Sequence, residues 1–219
     1  MQYKRLTLLC GHYGSGKTNV AVNMALDLKK QREKVTLADL DIVNPYFRAK
    51  DSSDILKKNG IELICSPFAN SNVDFPALPQ ELYAITDDRS RSAVLDIGGD
   101  ERGALALGRI APAINEENDY EMYMVVNFYR PLTRDAKSVK EVLDEIEFAC
   151  KIKFTGIINN SNLGPETTPE TVLKSLDFAK SVSEISGLDT VLTTVESSLY
   201  NKLEGKIPDL FPINLKQIP

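Results

Sequence analysis

Short apolar runs alternate with amphipathic stretches along most of the chain. The runs cover Leu6–Cys10 and residues 34–38, 61–66, 92–97, 120–127, 154–159 and 189–194, each of strand length. Between them the apolar positions shift to a spacing of three and four. Val20, Ala21, Met24, Ala25 and Leu28 fall on one face of a helix over 18–31. The same spacing predicts helices over 79–87, 102–116, 133–150, 169–186 and a short 197–204. Strands alternating with helices imply an α/β fold, with a mostly parallel, twisted sheet carrying helices on both faces. In such sheets ligands bind beyond the carboxyl ends of the strands. Residues 67–79, with three prolines and two asparagines, read as a long loop, and 207–219 as an irregular strip packed on the domain. No long linker or internal repeat divides the chain, so residues 1–219 are expected to form a single domain.

The first strand-to-helix junction carries the chemistry. Gly11-His12-Tyr13-Gly14-Ser15-Gly16-Lys17-Thr18 fits G-x-x-x-x-G-K-[ST], with an apolar strand before it and a helix after it. This is a P-loop. The glycines let the backbone approach phosphates closely, and the loop and helix N-terminus aim N–H groups at them. Gly14, Ser15, Gly16, Lys17, Thr18 and Asn19 are the expected nucleotide-binding residues. Lys17 would reach the β/γ-phosphates, and the Thr18 hydroxyl would ligate Mg²⁺.

Two acidic strand ends extend this reading. In Ala38-Asp39-Leu40-Asp41-Ile42-Val43-Asn44-Pro45 the two carboxylates are one residue apart. On an extended backbone they face the same side. There they can hold Mg²⁺ directly or through water, and polarise an attacking water. In Ala93-Val94-Leu95-Asp96-Ile97-Gly98-Gly99 a hydrophobic strand ends in an aspartate and two glycines, the Walker-B arrangement. Asp96 would hold Mg²⁺ through its water shell, and the glycines would let the next loop respond to the γ-phosphate.

Composition narrows the class. A chain of 219 residues with 42% hydrophobic and 26% charged residues can bury a full core. The net charge of −5 argues against a nucleic-acid partner. The apolar runs are too short to span a membrane, the tail lacks a basic amphipathic face, and the first residues lead straight into a strand rather than a signal sequence. Cys10, Cys65 and Cys150 lie far apart, with no C-x-x-C. A reduced, cytoplasmic protein without a membrane partner is expected.

Taken together, GSGKTNVAVNMALDL, ADLDIVNP and LDIGG resemble the MinD/ParA/Mrp class of P-loop ATPases. The resemblance continues through Val126–Ala136, through Gly156-Ile157-Ile158-Asn159-Asn160, and from Thr194-Val195-Glu196 to Gly205-Lys206-Ile207-Pro208. It implies ATP and Mg²⁺ as cofactors. It makes Asp41 the residue that orients the hydrolytic water and Asp96 the acidic group at the metal. It gives Asn159 the recognition of adenine, and no N-K-x-D sequence follows that asparagine. It also implies slow ATP hydrolysis with Lys17 and Asp41 as the catalytic pair, a nucleotide-dependent homodimer and a protein partner.

One position departs from the family. Its lysine that crosses a dimer interface is replaced here by His12, and the glycine after it by Tyr13. An imidazole does not by default replace an ammonium. Other family roles have their own signatures. Iron–sulfur and nickel carriers of the class use C-x-x-C or C-x-C pairs, which this chain lacks. Dethiobiotin synthetases and cobyrinate amidoligases share the fold without the lysine and use ATP to activate a carboxylate. They need a second pocket, for which Arg48, Lys50 and Arg130 are the basic rim candidates. A non-hydrolysing ATP-binding module is the third alternative. A switch protein would instead expose a partner surface near 44–48 and 98–102.

Overall fold

The computed structural model describes residues 1–41, 49–65, 80–99 and 101–214. The long loop expected at 67–79 and the candidate partner surface at 44–48 lie outside the described residues, as do Arg48 and Asp100.

The described strands are β1 (Leu6–Cys10), β2 (Val35–Leu40), β3 (Ile61–Cys65), β4 (Ser92–Ile97), β5 (Tyr120–Val126), β6 (Gly156–Asn159), β7 (Thr190–Glu196) and β8 (Leu210–Ile213). They form one sheet in the order β3-β2-β4-β1-β5-β6-β7-β8, and every pairing is parallel. Parallel neighbours need crossovers. The helices supply them: α1 (Lys17–Lys29), α2 (Ser53–Lys58), α3 (Gln80–Asp87), α4 (Glu101–Gly108), α5 (Ala111–Glu117), α6 (Ala136–Cys150), α7 (Pro169–Ser186) and the short α8 (Tyr200–Leu203). The chain winds from β1 outward to β3, returns through β4, and leaves on the other side of β1 through β5. The reversal at β1 opens a crevice at its carboxyl end, where the P-loop lies.

The central strands are buried on both faces, so they read as continuous apolar runs. Side chains of alternating parity feed two cores. Leu8, Ala38, Leu40, Leu95 and Met124 pack with α3 to α7 through Leu82, Leu107, Leu143 and Phe178. Leu9, Val35, Leu37, Val94 and Val125 pack with α1 and α2 through Val20, Met24, Leu28 and Leu56. Asp39 and Asp96 share the parity of Leu37 and Val94. Their carboxylates therefore turn to the α1 side, over the P-loop helix.

Four features depart from the expected elements. The helix expected over 102–116 is two helices, α4 and α5, broken between Gly108 and Ala111 and restarted with Pro112 in the first turn. The tail is partly regular: β8 adds to β7 beside a small apolar cluster of Val172, Val195, Leu203 and Ile207. Helix α2 lacks an expected counterpart; at six residues it is too short for periodicity to reveal. The expected start at 133 is a 3₁₀ turn over Pro131–Thr133, and α6 begins after Asp135, whose side chain accepts the Ser138 N–H at 2.9 Å.

Candidate functional site

The P-loop turns through left-handed conformations at Gly14 (φ 79°) and Gly16 (φ 84°), which suit glycine. Gly16 caps α1, and the first turn of that helix contains no acidic residue, so its N–H groups and positive pole face the crevice uncompensated. Gly99 closes the other wall. A Cβ there would lie 2.0 Å from the Gly11 carbonyl oxygen, so bare backbone meets bare backbone. One at Gly103 would lie 2.6 Å from the Gly98 oxygen, which seats α4 directly on the end of β4.

Lys17, Thr18, Asp39, Asp41 and Asp96 converge beneath this loop, all buried. Lys17 Nζ donates to Asp41 Oδ2 at 2.5 Å. Thr18 Oγ1 donates to Asp96 Oδ2 at 2.5 Å. Asp39 and Asp96 are direct neighbours in the β2–β4 ladder. Asp39 Oδ1 accepts the Asp41 N–H at 3.1 Å, and its Oδ2 accepts the Ala49 N–H at 3.2 Å. Asp39 thus fixes both Asp41 and Ala49.

The electrostatics follow from three carboxylates around one ammonium. Burial pushes the Asp96 carboxyl up to about 7; Lys17 opposes that rise, while the charges of Asp39 and Asp41 add to it. Burial alone would push Lys17 down, but Asp96 and Asp41 outweigh it and hold the ammonium above its ordinary value. Asp96 Oδ1 and Ser15 Oγ are buried without a hydrogen-bond partner among the described residues. Orphaned buried oxygens are costly, and here they mark where a ligand's groups belong. A carboxylate oxygen and a serine hydroxyl beside a P-loop fit a divalent cation and a phosphate. The residues present therefore suit Mg²⁺ and a nucleotide.

The other flank is built from amides. Asn127 Oδ1 accepts the Tyr129 N–H (3.0 Å) and the Asn162 N–H (3.3 Å). Asn159, expected at the adenine edge, has its amide committed inside the fold: Nδ2 donates to Ser175 Oγ at 2.9 Å, and Oδ1 accepts the Ser161 N–H at 3.2 Å. Asn160 reaches the P-loop instead. Its Nδ2 donates to the Ser15 carbonyl at 2.6 Å, and its Oδ1 accepts from Thr194 Oγ1. Asn160 and Thr194 received no P-loop role from the sequence. The signal was present in the doubled asparagine, but only side-chain direction separates the two. Asn160, Asn162, Thr194 and Glu196 line a small cleft beside this brace.

His12 is half-buried, with Nδ1 3.4 Å from the Tyr13 carbonyl oxygen, and Tyr13 is exposed. A cleft of about 550 Å³ opens beside His12 and Gly99. Its other described lining residues are Val142, Glu145, Ile146, Phe148 and Ala149, all on α6. Lys50 is exposed in a 3₁₀ turn, and Arg130 lies over the P-loop rather than at this cleft. No described helix is long and apolar enough to cross a membrane.

Comparison with known proteins agrees with this geometry. FtsY from Mycoplasma mycoides is similar in fold, with a TM-score of 0.58 and 15% identity over 87% of this chain and 59% of that one. The signal recognition particle 54 kDa protein from Aeropyrum pernix K1, solved in complex with GDP, has a TM-score of 0.53 and 17% identity over 88% of this chain and 41% of that one. The chain thus spans less than two thirds of either neighbour. No curated protein sequence matches it. The family model of the CobQ/CobB/MinD/ParA nucleotide-binding domain matches residues 9–173, from the last turns of β1 through the P-loop, both acidic strand ends and the asparagine flank into α7. By that match the chain belongs to the CobQ/CobB/MinD/ParA family of P-loop nucleotide-binding domains.

Proposed function

We propose that the protein binds MgATP and hydrolyses it slowly in the cytoplasm, as a nucleotide-dependent switch on a protein partner. The observation that carries this reading is the buried set Lys17–Asp41 and Thr18–Asp96 beneath the P-loop, with Asp96 Oδ1 left unpartnered. The N–H groups of Gly14, Ser15, Gly16 and Asn19 and the Lys17 ammonium would hold the phosphates. Thr18 and Asp96, with Asp39 through water, would hold Mg²⁺. Bound MgATP supplies a phosphoryl group activated towards water. Asp41 would accept a hydrogen bond from that water and orient it, held in place by the Asp39 carboxylate that accepts its N–H. A preference for adenine over guanine rests on the sequence after Asn159, which lacks the N-K-x-D acid that would read guanine.

Phosphate release from ATP and from GTP, with and without Mg²⁺, tests the reading, with molecular mass measured in ATP and in ADP. Slow Mg²⁺-dependent release from ATP, and a mass or partner affinity that differs between the two nucleotides, support it. Equal use of GTP removes the adenine preference. Identical behaviour in ATP and ADP removes the switch.

The cleft beside His12 favours a second reading, an ATP-dependent transferase or synthetase. It has the volume of a small-molecule site and adjoins the P-loop. Its described lining is apolar with one imidazole and one carboxylate, which suits a neutral or cationic acceptor more than the carboxylate-bearing substrates of dethiobiotin synthetases. ATP turnover that rises on adding such a small molecule, with no protein partner present, would favour it over the switch.

A further inference from the structure

Arg130 lies over the crown of the P-loop. A Cβ on Gly14 would sit 3.5 Å from both its Cδ and its Nε, and 3.9 Å from its Cζ. The stem and guanidinium therefore rest against the loop itself. No hydrogen bond or ion pair joins that guanidinium to any described residue, and the side chain is exposed.

Its foundation is rigid. The Arg130 N–H donates to the Asn127 carbonyl at 3.1 Å, and its own carbonyl accepts the Thr133 N–H at 3.2 Å. Before it, the Phe128 N–H donates to Ser161 Oγ at 2.9 Å, and the Tyr129 hydroxyl donates to the Thr171 carbonyl at 2.8 Å. The Phe128 ring packs on Phe178, 5.3 Å between centroids. A turn fixed at this many points holds the base of the side chain where it is.

The electrostatics of the place are unfavourable for a lone cation. The P-loop N–H groups and the start of α1, whose first turn holds no acidic residue, turn a locally positive pole toward the guanidinium. The loop's other cation, Lys17, is neutralised by Asp41 at 2.5 Å, whereas no described carboxylate pairs with Arg130. An anion seated in the loop resolves this, and a planar guanidinium is suited to phosphate oxygens.

We infer that Arg130 is a phosphate ligand supplied by the chain itself, a cation that closes over the terminal phosphates of a nucleoside triphosphate held in the P-loop. This rests on the nucleotide-binding reading above. The chain would then carry its second phosphate cation in cis, on the turn after β5, where the loop itself offers only His12.

Equilibrium titrations of wild type, Arg130→Ala and Arg130→Lys with fluorescent ATP and ADP at fixed Mg²⁺ test this. Thermal melts without nucleotide show that each variant folds. Arg130→Ala is expected to lose about tenfold in ATP affinity, as for a charge-assisted pair, and clearly less in ADP affinity. Arg130→Lys should recover part of the loss. Unchanged ATP affinity in Arg130→Ala overturns the inference. Equal losses for ATP and ADP also overturn it, because the guanidinium would then act on the base, the sugar or the inner phosphates. If wild type binds neither nucleotide, the nucleotide-binding reading itself fails, which is a separate result.

Discussion

The two flanks of the P-loop solve different problems. On the side of β2 and β4, buried charges face one another: Lys17 with Asp41, Thr18 with Asp96, and Asp39 between them. On the side of β5, β6 and β7, neutral amides and hydroxyls face one another, through Asn127, Asn159, Asn160 and Thr194. The charged flank keeps an unpartnered oxygen on Asp96, while both ends of the Asn159 and Asn160 amides are hydrogen-bonded. Unsatisfied charge is where a ligand gains most on binding, whereas satisfied amides fix a shape. The contrast separates chemistry from scaffolding within one crevice.

The strongest way to sharpen that contrast is Asp41→Asn. The amide keeps the shape and removes the carboxylate, so turnover should fall on the order of a hundredfold with little change in ATP affinity. Steady-state phosphate release paired with a binding titration checks it; equal turnover would take the water-orienting role away from Asp41. Next comes Lys17→Ala, which removes the buried ammonium. ATP affinity should drop about tenfold or more in a fluorescent-analogue titration. Unchanged binding would contradict the P-loop's function outright.

The neutral flank should respond differently. Asn160→Ala takes the amide donor from the Ser15 carbonyl and leaves the Thr194 hydroxyl only its longer contact with the Asn159 carbonyl, so unfolding in urea should show a loss of about 1–3 kcal/mol. ATP affinity should fall several-fold with it, because Ser15 belongs to the loop. Asn159→Ala should cost a similar stability, since it unpairs the Ser161 N–H and removes the donor to the Ser175 hydroxyl, yet leave ATP affinity near wild type. A binding loss confined to Asn159→Ala would return base recognition to that residue. The smallest effect is expected for His12→Ala. Its only side-chain hydrogen bond among the described residues is long and exposed, so stability should change by no more than about 0.5 kcal/mol. A large change in turnover would give His12 the role of the family's lysine.

Much of this was legible in the sequence. The P-loop and the acidic strand ends are short, local patterns, and local patterns survive without knowledge of tertiary contacts. The strands under the crevice were legible because burial on both faces leaves continuous apolar runs. Helix α2 and strand β8 were not, since each is too short to show a period and owes its form to neighbours. The break between α4 and α5 was signalled by Gly108 and Pro112, but an apolar spacing that continues across it masked the signal. At the site, residue types were readable and directions were not. Asn159 and Asn160 are chemically identical, and strand alternation sends one amide into the fold and the other to the P-loop. Arg130 was visible only as a basic residue after a strand; its place against Gly14 depends on the approach of two loops distant in sequence.

The glycine contacts at Gly99 and Gly103 bear on how this family member can drift. Most core positions tolerate exchange, because a neighbouring side chain can shrink when another grows. Here no neighbour has anything to give up: the obstacle at Gly99 is the Gly11 carbonyl, and at Gly103 it is the Gly98 backbone. Compensating substitutions are therefore unavailable, and any viable lineage must keep these positions bare. The same absence of padding makes the seam between P-loop, β4 and α4 a stiff coupling. A shift of the Gly11 or Gly98 backbone bears directly on its neighbour, and α4 in turn packs against α6.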